Sequence, residues 1–255
     1  TVNWQQGRLR SGNSGSILNN SIWNDSTAGT LGANDFNNDW SGTAWVFTNA
    51  ATGTYNKSGS GTTRFFVPLN NNGVVNVTSG TLNLSGGGAT SAAGTFAISA
   101  GAALIFGDGT STLANGTALT GAGTFSASGG TLSVAAGTAT LPNLTVNGGT
   151  LAGAGNASIG ALTETSGTIS ISTLTLTGAS SWSGGSMNSS AASTATVNSG
   201  ATLGISSSAD HDFNRRNFVN NGTVNWSAGR LRSGNGGSIL NQNTWNDSTP
   251  GRLGA

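Results

Sequence analysis

Nine Lys and Arg, eight Asp and Glu, one His and one Tyr are all the ionisable side chains that this sequence of 255 residues offers to acid–base or metal chemistry. The histidine sits between two carboxylates, Asp210-His211-Asp212, a pattern suited to metal binding or proton transfer. On a strand, however, alternate residues point to opposite faces, so the imidazole and its flanking carboxylates cannot converge. Followed by Asn214, Arg215 and Arg216, the cluster reads better as a solvated loop with internal ion pairs. Asp25, Asp35 and Asp39 are the carboxylates near enough in sequence to supply the pair a glycoside hydrolase needs. Residues 67–209 hold only Asp108 and Glu164, so catalysis is not expected. Gly107-Asp108-Gly109 has the local form of a calcium loop, but such loops come as successive glycine-rich nonapeptides and this Asp stands alone. The sequence has no Cys, which removes thiol nucleophiles, disulfides and Cys-type zinc sites. No cofactor and no metal is expected. Thr173, Thr175 and Thr177 form one short threonine row, too little for an ice-ordering plane and ordinary for strands, which favour β-branched residues.

The more suggestive constellation is Arg8-Leu9-Arg10 and its twin Arg230-Leu231-Arg232, each with two guanidinium groups on one strand face and Leu facing the other way. Two readings compete. In one, these arginines with Trp23, Trp40, Trp45 and Trp245 form a surface band for anionic or glycan ligands, aromatic rings stacking on sugars. In the other, which the spacing favours, the arginines pair with Asp25 and Asp247 about one coil further on.

The twin belongs to a longer repeat. Residues 1–33 and 223–255 align without a gap at an offset of 222, with 25 identities. Substitutions fall at Gln5, Gln6, Ser14, Asn20, Ser21, Ile22, Ala28 and Thr30, mostly polar positions beside turns, while both arginines and most apolar positions hold. That is how packed strands differ from their loops. Residues 1–222 read as one unit and 223–255 as the start of the next, in one continuous rod. The sequence opens in mid-strand without an initiator Met, so it is expected to be a fragment of a longer tandem array whose targeting segments lie elsewhere.

The elements that must position these residues are strands. Glycine accounts for 42 residues and charged residues for only 7%, a composition of either disorder or repetitive β structure. Regular recurrence of Val, Ile, Leu and Phe, with a net charge of only +1, favours order. Thr81-Leu82-Asn83-Leu84, Thr95-Phe96-Ala97-Ile98, Thr131-Leu132-Ser133-Val134 and Thr168-Ile169-Ser170-Ile171 each follow a Gly and alternate with period two. Val75 and Val77 likewise share a face. Segment starts near Thr1, Ile22, Thr43, Val74, Thr95, Thr124, Leu144, Leu162, Ser180, Ala201 and Thr223 give about 20 residues per recurrence, enough for three short strands and three turns. The expected fold is all-β: a right-handed parallel β-helix, or β-solenoid, with Asn stacked at its bends. Ten or so coils per 222-residue unit advance about 50 Å. The charged and aromatic band, residues 1–66 and 210–255, is then expected to recur as a translation along the rod. Near-neutral charge argues against nucleic acid, and no apolar run approaches the ~18 residues of a membrane span.

The phrases NNGTVNWSAGRLRSGNGGSILN, SGTLNLSGGG, GAGTFSASGGTLSV and SWSGGSMNSS resemble the glycine-rich β-strand repeats of large bacterial surface proteins, the group of filamentous-haemagglutinin-like proteins and autotransporter passengers. The resemblance covers nearly the whole sequence. It implies a right-handed parallel β-helix, exported and displayed at the cell surface as a stalk, adhesin or filament. The expected function is therefore a non-enzymatic extracellular shaft whose partner is itself, by covalent continuation or end-to-end assembly. Surface glycans are the alternative partner, and a polysaccharide-active β-helix enzyme the more distant one.

Overall fold

The computed structural model describes residues 1–29 and 34–250, and its strands pair in parallel throughout. Strands fall in turn on three faces of a solenoid of about twelve turns, with no helix among the described residues. Face one stacks Val2–Trp4, Ile22–Asp25, Thr54–Lys57, Val74–Val77 and Thr95–Ile98. Face two stacks Leu9–Ser11, Asp35–Asn38, Thr62–Phe65, Thr81–Leu84 and Ala103–Phe106. Face three stacks Ser16–Asn19, Val46–Asn49, Leu69–Asn71, Gly88–Thr90 and Thr110–Leu113.

Period-two patterning makes these strands half-buried. In Thr81-Leu82-Asn83-Leu84 both leucines point inward and Thr81 and Asn83 outward. Register between coils then turns single side chains into ladders: Thr63, Leu82, Leu104 and Phe125 lie one above another inside face two. Each fully buried Leu, Val or Phe contributes about 1.5–3 kcal/mol, but only with a coil above and below to cover it. Backbone bonds also run between coils, so cohesion is a nearest-neighbour property.

Bends use residues that tolerate close approach. Gly88 has φ +132°, and a Cβ there would collide with the Leu69 backbone. Asparagines stack as expected. Asn19 Nδ2 donates to Asn49 Oδ1 at 2.8 Å, and Asn49 Nδ2 to Asn71 Oδ1 at 2.9 Å, in a buried ladder. An outer ladder runs from Asn76 through Asn56 and Asn24 to Asn3 at 2.9–3.0 Å.

Coil length varies. Trp23 stacks on Tyr55, an offset of 32 residues, whereas Ala157 stacks on Leu174, an offset of 17. The wide coil carries the loop around Trp40. The narrow coils have strands of 15 and 14 residues, Thr138–Ala152 and Asn156–Ile169, that bend round the corners without a break.

Two expectations about phase are corrected by the pairings. Thr95 stacks on Ala118, and Thr124 stacks on Ala103, so the interval from Thr95 to Thr124 is one coil plus one face. Thr43 likewise begins no coil, because the strand beside it, Val46–Asn49, belongs to face three. As a result Thr223–Trp226 stacks on Thr202–Ile205 in face two, while its twin Val2–Trp4 lies in face one. Local register is preserved: Val2, Asn3 and Trp4 meet Trp23, Asn24 and Asp25, and Val224, Asn225 and Trp226 meet Trp245, Asn246 and Asp247. The 222-residue interval is ten coils and one face. The band returns by translation combined with a third of a turn, not by translation alone.

Candidate functional site: the charged and aromatic band

The arginine strands come first because their outward residues carry the exposed charge. Arg230–Arg232 stacks in parallel on Asp210–Asp212, which places each guanidinium beside a carboxylate of the preceding coil. Arg230 Nε and Nη2 donate to Asp210 at 2.6 and 2.8 Å, and Arg232 Nε and Nη2 donate to Asp212 at 2.6 and 2.8 Å. Arg232 Nη1 also reaches Asp210 at 2.7 Å. The hydrogen bond from Arg230 holds the Asp210 carboxyl below its usual range, and the same contacts raise both arginines. The expected partner of this strand, Asp247, takes no part. In the first copy Arg10 pairs with Asp39 of the next coil, not with Asp25. Arg8 also has an interaction partner.

Asp25 is instead inside the solenoid. It shares inward parity with Trp23, and the next coil covers it with Thr54–Lys57. Tyr55 Oη and Thr63 Oγ1 donate to Asp25 Oδ2 at 2.8 and 2.5 Å, while Thr27 N and Oγ1 donate to Oδ1 at 3.0 and 2.6 Å. Lys57 Nζ lies 4.0 Å from Asp25 Oδ1 and donates to the Thr27 and Gly59 carbonyls at 3.0 and 2.5 Å. Burial raises Tyr55 well above its ordinary value, with Asp25 adding to the rise, and burial lowers Lys57 against the pull of Asp25. The network is structural: every polar atom is committed and none faces solvent.

The tryptophans divide. Trp23 and Trp45 are buried, Trp45 donating from Nε1 to the Asn37 carbonyl at 2.8 Å. They belong to an aromatic core with Trp4, Phe36, Phe47, Tyr55 and Phe65, in which Phe36 and Phe65 stack at 3.9 Å. Trp245 is half-buried with its edge on Phe218. Only Trp40 of the expected sugar-stacking set is open, at 61% exposure. Asn37, Asn38 and Asp39 of the wide coil and Phe66 of the next line a shallow groove of about 300 Å³. Phe66 is 42% exposed and carries the Arg64 guanidinium 4.2 Å above its ring.

Of the three carboxylates considered for glycan cleavage, Asp25 and Asp35 are buried and Asp39 is held by Arg10. Asp210-His211-Asp212 is a strand, not a loop, and its ion partners lie one coil on rather than at Arg215 and Arg216. His211 points inward, fully buried, its ring 4.9 Å from Trp182. Burial pushes it below its ordinary value, against opposing pulls from the Ser207 backbone, Asp210 and Asp212. Arg216 is also inside, donating to the carbonyls of Met187, Thr194, Ile169 and Ile171. Its burial lowers it to about 10 even with Glu164 opposite. Glu164 is raised well above its ordinary value by desolvation, an effect larger than that of Arg216.

Asp108 accepts only from its own loop, Gly109 N at 2.7 Å. Among the described residues, no three of His, Asp and Glu gather where one metal ion would reach them. Thr173 and Thr175 stack on Thr194 and Thr196, but the next coil places Asn217 and Val219 there, so the threonine patch stops at two coils. No helix among the described residues is long and apolar enough to cross a membrane.

Sequence reasoning missed Lys57 and Arg216 as interior groups. The signal was parity: Lys57 alternates in step with Tyr55, and Arg216 with Phe218 and Asn220. Comparison with protein-family profiles, with curated proteins and with solved structures finds no match to this chain.

Proposed function

We propose that this chain is a length of extracellular shaft, a surface filament or adhesin stalk with no enzymatic role, whose work is to hold a distance. The observation that carries this reading is the stacking of three parallel faces around one continuous apolar core, with face three thinning to single bridges at Ser186. Such a core leaves no hinge and presents little unpaired backbone to proteases. The near absence of charge along residues 67–209 and the commitment of Asp25, Asp35, Asp39, Asp210 and Asp212 to burial or ion pairs also support a structural role. Electron micrographs of the isolated chain, with antibody labelling of intact source cells, test it. Rods about 50 Å long per 222 residues and label at the surface are expected. Globular particles, or label only after lysis, would sink the reading.

One observation favours a second reading, an adhesive glycan contact: the open Trp40 follows directly on Asp39 of the groove that Asn37, Asn38, Asp39 and Phe66 line. Stacking of an aromatic ring on a sugar together with amide and carboxylate hydrogen bonds is the chemistry required. Glycan-array binding that disappears with Trp40→Ala would support it, and binding indifferent to Trp40 would remove it.

A further inference from the structure

The two copies of the repeat show complementary halves of one contact. In the first, Asp25 lies under a further coil; in the second, Asp247 is exposed, yet its local geometry is already set. Thr249 N and Oγ1 donate to Asp247 Oδ1 at 2.9 and 2.7 Å, as Thr27 N and Oγ1 donate to Asp25 Oδ1 at 3.0 and 2.6 Å. In the first copy the other oxygen, Oδ2, receives Tyr55 and Thr63. The strand Thr244–Asp247 is stacked on one side only among the described residues, on Thr223–Trp226. Beside it Ser238–Asn241 is exposed, with Ile239 at 44% and Leu240 at 51%.

We propose that the face formed by Ser238–Asn241 and Thr244–Asp247 is an interaction surface for one occupant, a further copy of residues 34–66 of this chain. Register transfers directly. A copy of Val46–Asn49 covers Ser238–Asn241, as the original covers Ser16–Asn19, and brings a copy of Phe47 over Ile239. A copy of Thr54–Lys57 covers Thr244–Asp247, as the original covers Ile22–Asp25. The copied Tyr55 and Thr63 donate to Asp247, and the copied Lys57 supplies the cation beside it. The buried ammonium and carboxylate give the surface its specificity, because a coil without them covers Asp247 while leaving its Oδ2 with no donor and its charge with no cation. The copied Asp39 meets Arg232, as Asp39 meets Arg10. Each arginine strand is thereby held between acidic groups of the coil before and the coil after.

The proposal rests on the solenoid reading of the shaft and extends it to a longer array. Because each 222-residue interval ends one face on, the band winds round the rod and returns to its first face after three units, about 150 Å. A lateral partner recognising the band on one side of a long filament would meet it once per three units.

The test is hydrogen exchange on three chains: the present one, one extended after Ala255 by a copy of residues 34–66, and one extended by a copy of residues 67–99, equally long but without the Tyr, Lys and Asp. In the first extension, amides of Ser238–Asn241 and Thr244–Asp247 are expected to exchange on the order of 100-fold more slowly than in the parent. That protection is expected to fall with Asp247→Ala, while the second extension gives little. Equal protection by both extensions, or protection by neither, overturns the proposal. Amides of Val74–Val77 serve as the control in all three chains: if they exchange freely, the solenoid itself is wrong and the proposal falls with it.

Discussion

Residues 1–29 and 223–250 have nearly the same sequence and the same internal register, yet Trp4, Asn19, Trp23, Asp25 and Thr27 are buried in the first copy, whereas none of their counterparts Trp226, Asn241, Trp245, Asp247 and Thr249 is buried in the second. Trp23 is 7% exposed under a covering coil, whereas Ser238–Asn241 in the second copy is exposed at every position. A strand of this kind has no fixed burial. Its sequence sets which residues face inward, and the neighbouring coil determines whether inward means buried. Asp25 and Asp247 show this most sharply, since the same side chain with the same Thr two residues on is an interior anchor in one place and a solvated group in the other.

The largest expected difference between the copies is at these two residues. Asp25→Ala removes the carboxylate beside a buried Lys57 ammonium and leaves Tyr55 and Thr63 without their acceptor, at a cost of about 3–5 kcal/mol. Asp247→Ala is expected to leave the unfolding midpoint unchanged. Urea titration of both variants measures this, and equal losses would break the comparison. Next is the asparagine ladder. Asn49→Ala removes the partner of both the Asn19 and Asn71 amides in the interior and costs about 1–3 kcal/mol, whereas Asn241→Ala, which opens only the Asn220 amide and does so at a water-exposed position, is expected to cost less.

A smaller effect distinguishes Asp210–Asp212, the strand on which the second copy's arginines stack. His211 is held below its ordinary value by burial, so the unfolded chain takes up a proton first as pH falls. Its contribution is complete above the ordinary histidine range and is lost as pH drops from about 6.5 through the folded value. Stability measured at pH 7.5 and pH 5 is expected to differ less in His211→Phe than in the parent; an unchanged difference would place the imidazole in solvent. The smallest effect is expected at Arg232, whose ion pairs are exposed. Arg232→Ala is expected to reduce the salt dependence of stability without a clear loss at physiological salt, where such pairs are screened. A large loss there would mean that the Arg–Asp ladder is shielded from water.

Much of this architecture was legible in the sequence. Period two set the inward residues correctly at Val75, Val77, Leu82 and Leu84, and the abundance of Asn at bends anticipated the buried ladder of Asn19, Asn49 and Asn71, though not the outer one, which runs along mid-strand positions. The phase of the repeat was not legible, for a physical reason. Thr95-Phe96-Ala97-Ile98 on face one and Thr124-Phe125-Ser126-Ala127 on face two follow the same pattern of glycine, threonine and inward phenylalanine. Each meets the same environment of two flanking strands and a shared core, so nothing in either names its face. The arginine partners were misread because each arginine strand has more than one carboxylate within reach of a coil: Asp25, Asp35 and Asp39 after residues 8–10, and Asp210, Asp212 and Asp247 on either side of Arg230–Arg232. Parity decides between them: Asp25 alternates with buried Trp23 and points inward, while Asp210 and Asp212 alternate with His211 and point out. The interior Lys57 and Arg216 were missed because polarity suggested surface where alternation placed them inside.

The central claim is that the repeat closes after ten coils and one face, and the decisive step lies between Thr95 and Thr124. A chain without cysteine lets a disulfide report that step directly. Ala97 and Thr120 are stacked neighbours on face one, whereas Ser126 lies on face two beside Ile105. Adjacent strands about 4.8 Å apart fall within the Cα range a disulfide spans. Oxidation of the double variant Ala97→Cys, Thr120→Cys is expected to close an intramolecular bond, and oxidation of Ala97→Cys, Ser126→Cys is expected to leave free thiols. The opposite result, closure only in the second pair, would place Thr95 and Thr124 on one face, restore a whole number of coils per repeat and contradict the account.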